Sequence, residues 1–526
     1  MSSRRLRRAL GCTGCALAAA LLGAGLLGAP TLAQSAGNPV AQQPDSSSAQ
    51  PSGATAQVSG VAAEASGTAA QEAGAAAQPS GAAGELQRYV AAPDPSYGWR
   101  EVASGRSGSA EFAEAILTSQ TWRGIPWKHQ LFIIKPARPD ARRKAALLYI
   151  DGGSWHASFA SGVGSELPRE ASDFIRAAEL LHALVIVVRQ VPFEPLFGRT
   201  EDALIAYTFQ KYFETREPDW PLLLPMVKSA ARAMDAARDL ARRQWGIAID
   251  RFLVTGSSKR GWTSWLVAAV DPRVAAVAPM VIDMLDMPAQ ISLQRETFGG
   301  HLSPEIQDYQ AIGLPERIDT PAGRALVAMV DPYSHRDKLT MPKLILLGTN
   351  DPYWPVDALR IYWGGLPSEK RVLYLPNQTH HLGDADRLVG SLAALFRYSM
   401  RGRALPNVLG TFVERPGALE LSVRTDRAPD RLLAWSAASP TRDFHLAHWS
   451  PHPCERRGDT YLCRQPLDGD GFTALYAEAA FRDRREPPFS LSTLVCVARN
   501  GPAPPAAMTR QEQLCGNDST ISTPRP

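Results

Sequence analysis

The sequence predicts an α/β domain, a mostly parallel sheet flanked by helices and carrying a helical cap, followed by a C-terminal β-sandwich. Three observations lead there. Apolar runs of strand length alternate with helix-length segments through the middle of the chain. The later runs are almost continuously apolar, as strands are when both faces of a parallel sheet are covered. After about residue 404 the pattern changes to short alternating segments separated by turn residues, which fits a sandwich.

Residues 1–33 have a basic start, an apolar run of small residues and a small-residue exit at Ala33. That is the pattern of a secretory signal peptide, so export to the periplasm or beyond is expected. The run is only weakly apolar and lacks a stop-transfer flank, so no stable membrane span is expected after cleavage. Arg4-Arg5 faintly resembles a twin-arginine signal. Residues 34–84 are Ala, Gly, Ser, Gln and Pro with almost no large apolar side chains. Such a stretch buries too little surface to offset its ordering entropy, and a disordered linker is expected. Order is expected from about Leu86.

Overall, 45% of the residues are hydrophobic and 21% charged, an ordinary globular balance. Loss of residues 1–33 removes four arginines and leaves 52 cations against 52 anions. A chain without net charge offers no global field for nucleic acid or an anionic membrane, so neither is an expected partner.

The α/β domain is placed at 85–403. "AEAILTSQTW" and "KHQLFIIKPA" read as early strands. "AALLYIDGG" (145–153), "ALVIVVRQVPF" (183–193), "RFLVTGSS" (251–258), "AAVAPMVID" (275–283), "PKLILLGTND" (342–351) and "KRVLYLPN" (370–377) follow. "PLLLPMVKSAARAMDAARDLARRQWG" has helical periodicity and a glycine stop. The segment 284–330 exceeds what a plain crossover needs, which predicts a cap over the strand ends. The sandwich is placed at 404–500, with "ALELSVRT", "RLLAWSAA", "DFHLAHWS", "TALYAEAAF" and "LSTLVCVAR" as its strands, and a Pro-rich tail at 501–526. Of six cysteines, Cys12 and Cys15 fall in the signal segment; Cys454, Cys463, Cys496 and Cys515 cluster late in the chain. In an exported protein they suggest two disulfides, with three pairings open. No C-x-x-C pair or histidine spacing supports zinc instead.

The chemistry-bearing stretch is Gly256-Ser257-Ser258-Lys259-Arg260-Gly261, a variant of the nucleophile elbow G-x-S-x-G. Small residues let the strand turn abruptly into a helix, exposing the Ser258 hydroxyl, and the following amide can donate to an oxyanion. In such a fold the acid and then the histidine follow the serine in chain order. Asp351 ends a strand 93 residues later, and His380 lies 29 residues further, just after the next strand. His380 would act as base and Asp351 as its orienting acid. His381 is a competing base and Asp283 a rival acid; Asp271 and Asp286 read as turn or cap residues. Asp351 read on its own would do no more than cap the helix after it. In "YIDGGSW", Gly152 and Gly153 would let a second backbone N–H approach the reacting carbonyl, although a plain tight turn looks the same. Lys259 is given a role at the oxyanion or substrate and Arg260 a structural one, with Glu201 and Asp202 as acids either could pair with. No H-E-x-x-H or comparable ligand pair and no dinucleotide or phosphate loop occurs, so no metal or organic cofactor is expected.

"LTSQTW", "LLYIDGGS", "EDALIAYTF", "LPMVKSAARAMD", "GSSKRGWTSWLVAAVDPRVAAVAPMVID", "NDPYWPVDALRIYW" and "PNQTHHL" resemble the PhoPQ-activated pathogenicity-related family, which includes autocrine proliferation repressor proteins. The resemblance spans roughly residues 88–500. It implies an α/β-hydrolase domain followed by a small β domain, and Ser258, Asp351 and His380 as a triad. The family pattern Pro-Asn-x-x-His-x-Leu selects His380 over His381. The family commonly has Gly-Ala-Ser at the elbow; Ser257 therefore adds a minor competing hydroxyl. The elbow with a cation after the serine is also similar to that of glucuronoyl esterases, at the level of one motif. The expectation is an exported serine hydrolase acting on a small-molecule or carbohydrate-linked ester. The alternatives are a secreted binding or signalling protein on a hydrolase scaffold, or a serine peptidase. Oligomeric state is not legible.

Overall fold

The apolar runs become strands whose alternate residues serve two different cores. In the computed structural model, residues 81–501 are described, apart from 165, 168–170, 484 and 485. The expected signal peptide, most of the 34–84 segment and the tail beyond Gly501, Cys515 included, lie outside the described residues. Strands β1 (Gly98–Ser107), β2 (Ala110–Trp122) and β3 (Ile125–Lys135) form an antiparallel meander. Next come β4 (Ala145–Ile150), β5 (Leu184–Val188), β6 (Arg251–Ser257), β7 (Val274–Met280), β8 (Lys343–Gly348) and β9 (Lys370–Leu375), paired in parallel in the order β5-β4-β6-β7-β8-β9. In β4, Ala146, Leu148 and Ile150 enter one core while Ala145, Leu147 and Tyr149 enter the other. Burial on both faces is why the run is continuous rather than alternating.

Helix α1 (Ala82–Ala91) begins slightly ahead of Leu86; α2 (Ser172–Leu181), α3 (Glu201–Thr215), α4 (Leu223–Trp245) and α5 (Lys259–Val270) follow. Residues of α1, α3, α4 and α5 fill one core and those of α2 the other. The chain runs from β4 outward to β5, then crosses back to β6 on the opposite side of β4. That reversal opens a crevice at the carboxyl ends of β4 and β6, the position where open α/β sheets take ligands.

The 284–330 segment folds into α6 (Met287–Thr297), α7 (Gln307–Ala311), α8 (Leu314–Arg317) and α9 (Pro321–Val330). Helix α9 starts with proline and with the Thr320 hydroxyl accepting from the Gly323 amide at 3.1 Å, a strong start signal. Its last residue leads into Asp331, which is buried. One Asp331 oxygen accepts from the Met287 amide at 2.8 Å and the other from the Tyr333 amide at 2.9 Å. A single carboxylate therefore ties the start of the cap to its end.

Helix α10 (Arg360–Trp363) follows β8, and α11 (Ala385–Ser399) follows β9. The C-terminal strands are β10 (Val408–Arg415), β11 (Ala418–Thr425), β12 (Arg431–Ser439), β13 (Ser450–Pro453), β14 (Glu455–Arg457), β15 (Thr460–Pro466), β16 (Phe472–Phe481), β17 (Phe489–Ser492) and β18 (Cys496–Arg499). One antiparallel sheet runs β10-β11-β15-β14. The other, β17-β16-β12-β13 with β18 also on β16, is joined to β9 through the pair Ser492 and Val372. Leu421 and Val423 share a core with Leu475 and Ala477 across the two sheets, and that core is continuous with Leu253 and Leu344 of the central sheet. The architecture is the α/β-hydrolase fold with a β-sandwich fused to its last strand.

Cys454 and Cys463 are joined in a disulfide, nine residues apart. Cys496 is disulfide-bonded as well. No described helix is long and apolar enough to cross a membrane. Closing so short a loop should contribute about 2–3 kcal/mol. Replacing both Cys454 and Cys463 by serine is expected to lower the denaturation midpoint accordingly; an unchanged midpoint would show that the bond adds nothing.

Candidate active site

Strand β6 turns into α5 through a single strained residue. Ser258 has φ 56° and ψ −125°, a conformation that costs a non-glycine residue on the order of 1–3 kcal/mol. The surroundings hold it there. Its amide donates to the Met280 carbonyl at 2.9 Å, and its carbonyl accepts from the Trp262 amide at 2.9 Å. Two glycines make room for the turn: a Cβ on Gly256 would meet the Arg260 backbone at 2.9 Å, and one on Gly261 would meet the Met280 carbonyl at 2.8 Å. Lys259 is the first residue of α5, so its amide has no preceding helical carbonyl to bond. Ser257 is hydrogen-bonded to the buried Tyr149, on the other side of the turn.

The loops after β8 and β9 bring the other two expected residues to this hydroxyl. His380 Nε2 lies 2.9 Å from Ser258 Oγ, and His380 Nδ1 lies 2.9 Å from Asp351 Oδ2. The Tyr353 amide donates to Asp351 Oδ1 at 2.9 Å. The Tyr353 ring stacks on the His380 imidazole with centroids 4.1 Å apart. His381 is exposed. Asp283 is buried with its Oδ1 2.6 Å from the Tyr362 hydroxyl. Burial pushes its carboxyl up to about 8 against the Tyr362 hydrogen bond, and Asp351 and Asp357 add to the rise. Asp283 thus holds its proton at neutral pH, unlike an acid that must stay charged beside an imidazole. Asp271 is bonded to Arg273, and Asp286 precedes α6 with left-handed backbone, in keeping with turn and cap roles.

Two cations in the first turn of a helix oppose the helix dipole and need compensation. It comes from the first turn of α3. Both Arg260 Nη atoms donate to the Glu201 carboxylate at 2.8 Å, and Nε donates to the Val191 carbonyl at 2.6 Å. Burial would raise Glu201, but Arg260 and then Lys259 outweigh it and hold this carboxylate below the usual range. Burial, reinforced by Glu201, pushes the neighbouring Glu194 up to about 7. Lys259 Nζ pairs with Asp202 at 2.7 Å and Glu201 at 3.3 Å. Gly152 serves this arrangement too: a Cβ there would come within 2.2 Å of the Arg260 guanidinium. The Gly152 amide is engaged by the Asp151 carboxylate, while Gly153, with φ 98°, completes the turn. Neither glycine is part of the cavity wall beside Ser258.

That cavity holds about 740 Å³, open space at its mouth included, and its accessible surface is almost wholly apolar. Ser258, His380, Lys259 and Tyr353 form one wall; much of the rest comes from the cap. Among the described residues no group of three His, Cys, Asp or Glu side chains is arranged to hold a metal.

Two asparagines were not singled out from the sequence. Asn350, beside Asp351, donates through Nδ2 to the carbonyls of Ala447 at 2.6 Å and His445 at 3.1 Å. Asn377, three residues before His380, donates to the Trp449 carbonyl at 2.9 Å and accepts from the Trp449 amide at 2.8 Å. The Thr349 hydroxyl joins them, donating to Asn350 Oδ1 at 2.8 Å and accepting from the Asn377 amide at 2.9 Å. The loop 444–449 of the sandwich is therefore bound to both loops that carry Asp351 and His380. Asparagine directly after a strand, in "GTND" and "LPN", was the available signal.

Known proteins resemble this chain in sequence and in shape. The model of the family described as PhoPQ-activated pathogenicity-related protein matches residues 86–445. Autocrine proliferation repressor protein A of Dictyostelium discoideum is 30% identical over 390 residues, which cover 69% of this chain and 76% of that protein. Among solved structures, acetyl xylan esterase 1 from Thermoanaerobacterium sp. JW/SL YS485 is 18% identical with a TM-score of 0.39, covering 57% of this chain and 89% of its own. The glucuronoyl esterase from Solibacter usitatus is 12% identical with a TM-score of 0.34, covering 60% of this chain and 92% of its own. With two thirds of its length matched by that family model, the chain belongs to the PhoPQ-activated pathogenicity-related family.

Proposed function

We propose that the protein is an exported serine hydrolase that cleaves carboxylic esters through an acyl-enzyme. The observation that carries this is the unbroken series from Ser258 Oγ to His380 to Asp351, each step 2.9 Å. In the reaction His380 Nε2 takes the Ser258 proton as Oγ attacks the ester carbonyl. Asp351, accepting from Nδ1–H, fixes the tautomer and stabilises the imidazolium. The developing oxyanion accepts from the Lys259 amide. Collapse breaks the ester C–O bond, and the alcohol leaves with the proton from His380. Water, deprotonated by His380, then attacks the acyl carbon and releases the acid, and the proton returns to Ser258. Asp283 stays outside this series as a neutral hydrogen-bonding group beneath the site.

Export is proposed on the basic and apolar leader together with the Cys454–Cys463 disulfide, a bond that persists in oxidising compartments. A second reading, a secreted signalling protein on a hydrolase scaffold, draws on the name of the similar Dictyostelium protein. It requires the site to be inert toward esters. A peptidase would turn over peptide amides as well as small esters.

With p-nitrophenyl esters, Ser258→Ala is expected to reduce kcat to background and Asp351→Asn to reduce it by about 10⁴-fold. Asp283→Asn should lose less than tenfold; the reverse ranking of the two acids would transfer the orienting role to Asp283. Asp283 also sets a pH dependence. Its folded-state carboxyl, at about 8, titrates above the ordinary value near 3.9. Its contribution to stability is complete below the unfolded value and is lost as pH rises through about 8, at up to about 1.4 kcal/mol per pH unit. Asp283→Asn should flatten the melting temperature between pH 5 and 8; an unaltered slope would place the titration elsewhere. Asn377→Ala, which frees the base-bearing loop from Trp449, is expected to lower kcat about tenfold or more with KM little changed. A change confined to KM would count against a positioning role.

A further inference from the structure

We propose that the esters cleaved carry an uncharged, apolar acyl chain of medium length, which the cap holds in the cavity beside Ser258. The inference rests on the hydrolase reading and adds the substrate class. The wall facing Ser258 and His380 is built from Trp262 of α5 and from Met284, Met287, Ile291, Leu302 and Leu314 in or beside the cap. A cavity of this composition fits an apolar ligand with few polar contacts.

Most of the polar side chains that line the cavity are bonded within the chain, Gln290 Oε1 and Trp354 Nε1 excepted. Gln290 Nε2 donates to the Leu285 and Ala358 carbonyls, while its buried Oε1 has no partner within the chain. Gln294 donates to the Tyr353 carbonyl and accepts from the Ser303 amide. Gln310 donates to the Ser303 carbonyl, and Tyr309 donates to Asp202. A sugar ring placed here would lose its hydration and find few partners for its several hydroxyls.

The cation is committed as well. Lys259 already faces two carboxylates, Asp202 at 2.7 Å and Glu201 at 3.3 Å. A substrate carboxylate brought to Lys259 would be a third anion around one ammonium. A sugar-acid ester of the kind the Lys-bearing elbow suggested is therefore disfavoured. The enclosed side suits the acyl group rather than the alcohol for a chemical reason. The acyl group stays covalently on Ser258 through two steps, whereas the alcohol must leave before water enters.

The test uses the purified chain and p-nitrophenyl acetate, butyrate, hexanoate and octanoate, with benzyl glucuronate and acetylated xylo-oligosaccharide as polar comparators. Each methylene that enters the cavity should raise kcat/KM about fourfold, so hexanoate should exceed acetate at least tenfold. Ile291→Trp, which fills part of the wall, should lower the hexanoate-to-acetate ratio at least fivefold. The unmodified chain decides the matter even if that variant does not fold. Turnover that is best with acetate, benzyl glucuronate or acetylated xylo-oligosaccharide would overturn the substrate class while leaving the hydrolase standing. Turnover of no ester at all would overturn the hydrolase and this inference with it.

Discussion

Everything at the candidate site depends on the reversal of the chain at Ser258. A non-glycine residue at φ 56° persists only where its surroundings over-determine it. Here they do so from three sides: Gly256 and Gly261 admit backbone at distances no side chain would allow, Met280 receives the serine amide, and Arg260 is locked beneath the turn. The buried guanidinium needs an anionic partner, since alone it would be an uncompensated charge out of water. Glu201 meets that need, and through it the start of α3 is fixed against the start of α5. The two cations after the serine are thereby explained. Arg260 supports the turn, and Lys259 draws Asp202, and through it Tyr309 of the cap, to the rim of the cavity.

The other half of the site is supported from much later in the chain. Asp351 and His380 sit on loops, which are ordinarily the mobile parts of a fold. Asn350 and Asn377 bind those loops to residues 444–449, and β17 pairs with β9, the strand from which His380 emerges. The sandwich is in this way an outer support for the loops of Asp351 and His380, as the roles proposed for them would demand.

Much of this was legible, because the informative features are local. Continuous apolar runs such as "ALVIVV" mark strands covered on both faces, and a Gly-Ser-Ser turn between such a run and a helix marks the elbow. Asp351 and His380 were expected from chain order after the serine and from their places at strand ends, with His380 preferred to His381 only through the family resemblance. What was not legible depends on pairings distant in sequence. Strand β1, "GWREVASGRS", has no apolar alternation, being an edge strand whose structure comes from pairing with β2. The partners of Asn350 and Asn377 lie about 70 to 100 residues away, in the loop between β12 and β13. Lys259 could be placed at the site by its neighbour Ser258, but only the packing of α3 against α5 shows that its charge is already matched.

The account stands on Ser258 being a hydroxyl made nucleophilic by His380. Its most direct test is reaction of the folded chain with a fluorophosphonate, followed by mass spectrometry of the peptides. A single adduct on Ser258, formed by the native protein, absent after heat denaturation and slowed by His380→Ala, is the predicted result. A native protein that forms no adduct, or one that is modified at Ser257 or elsewhere and not at Ser258, would contradict it.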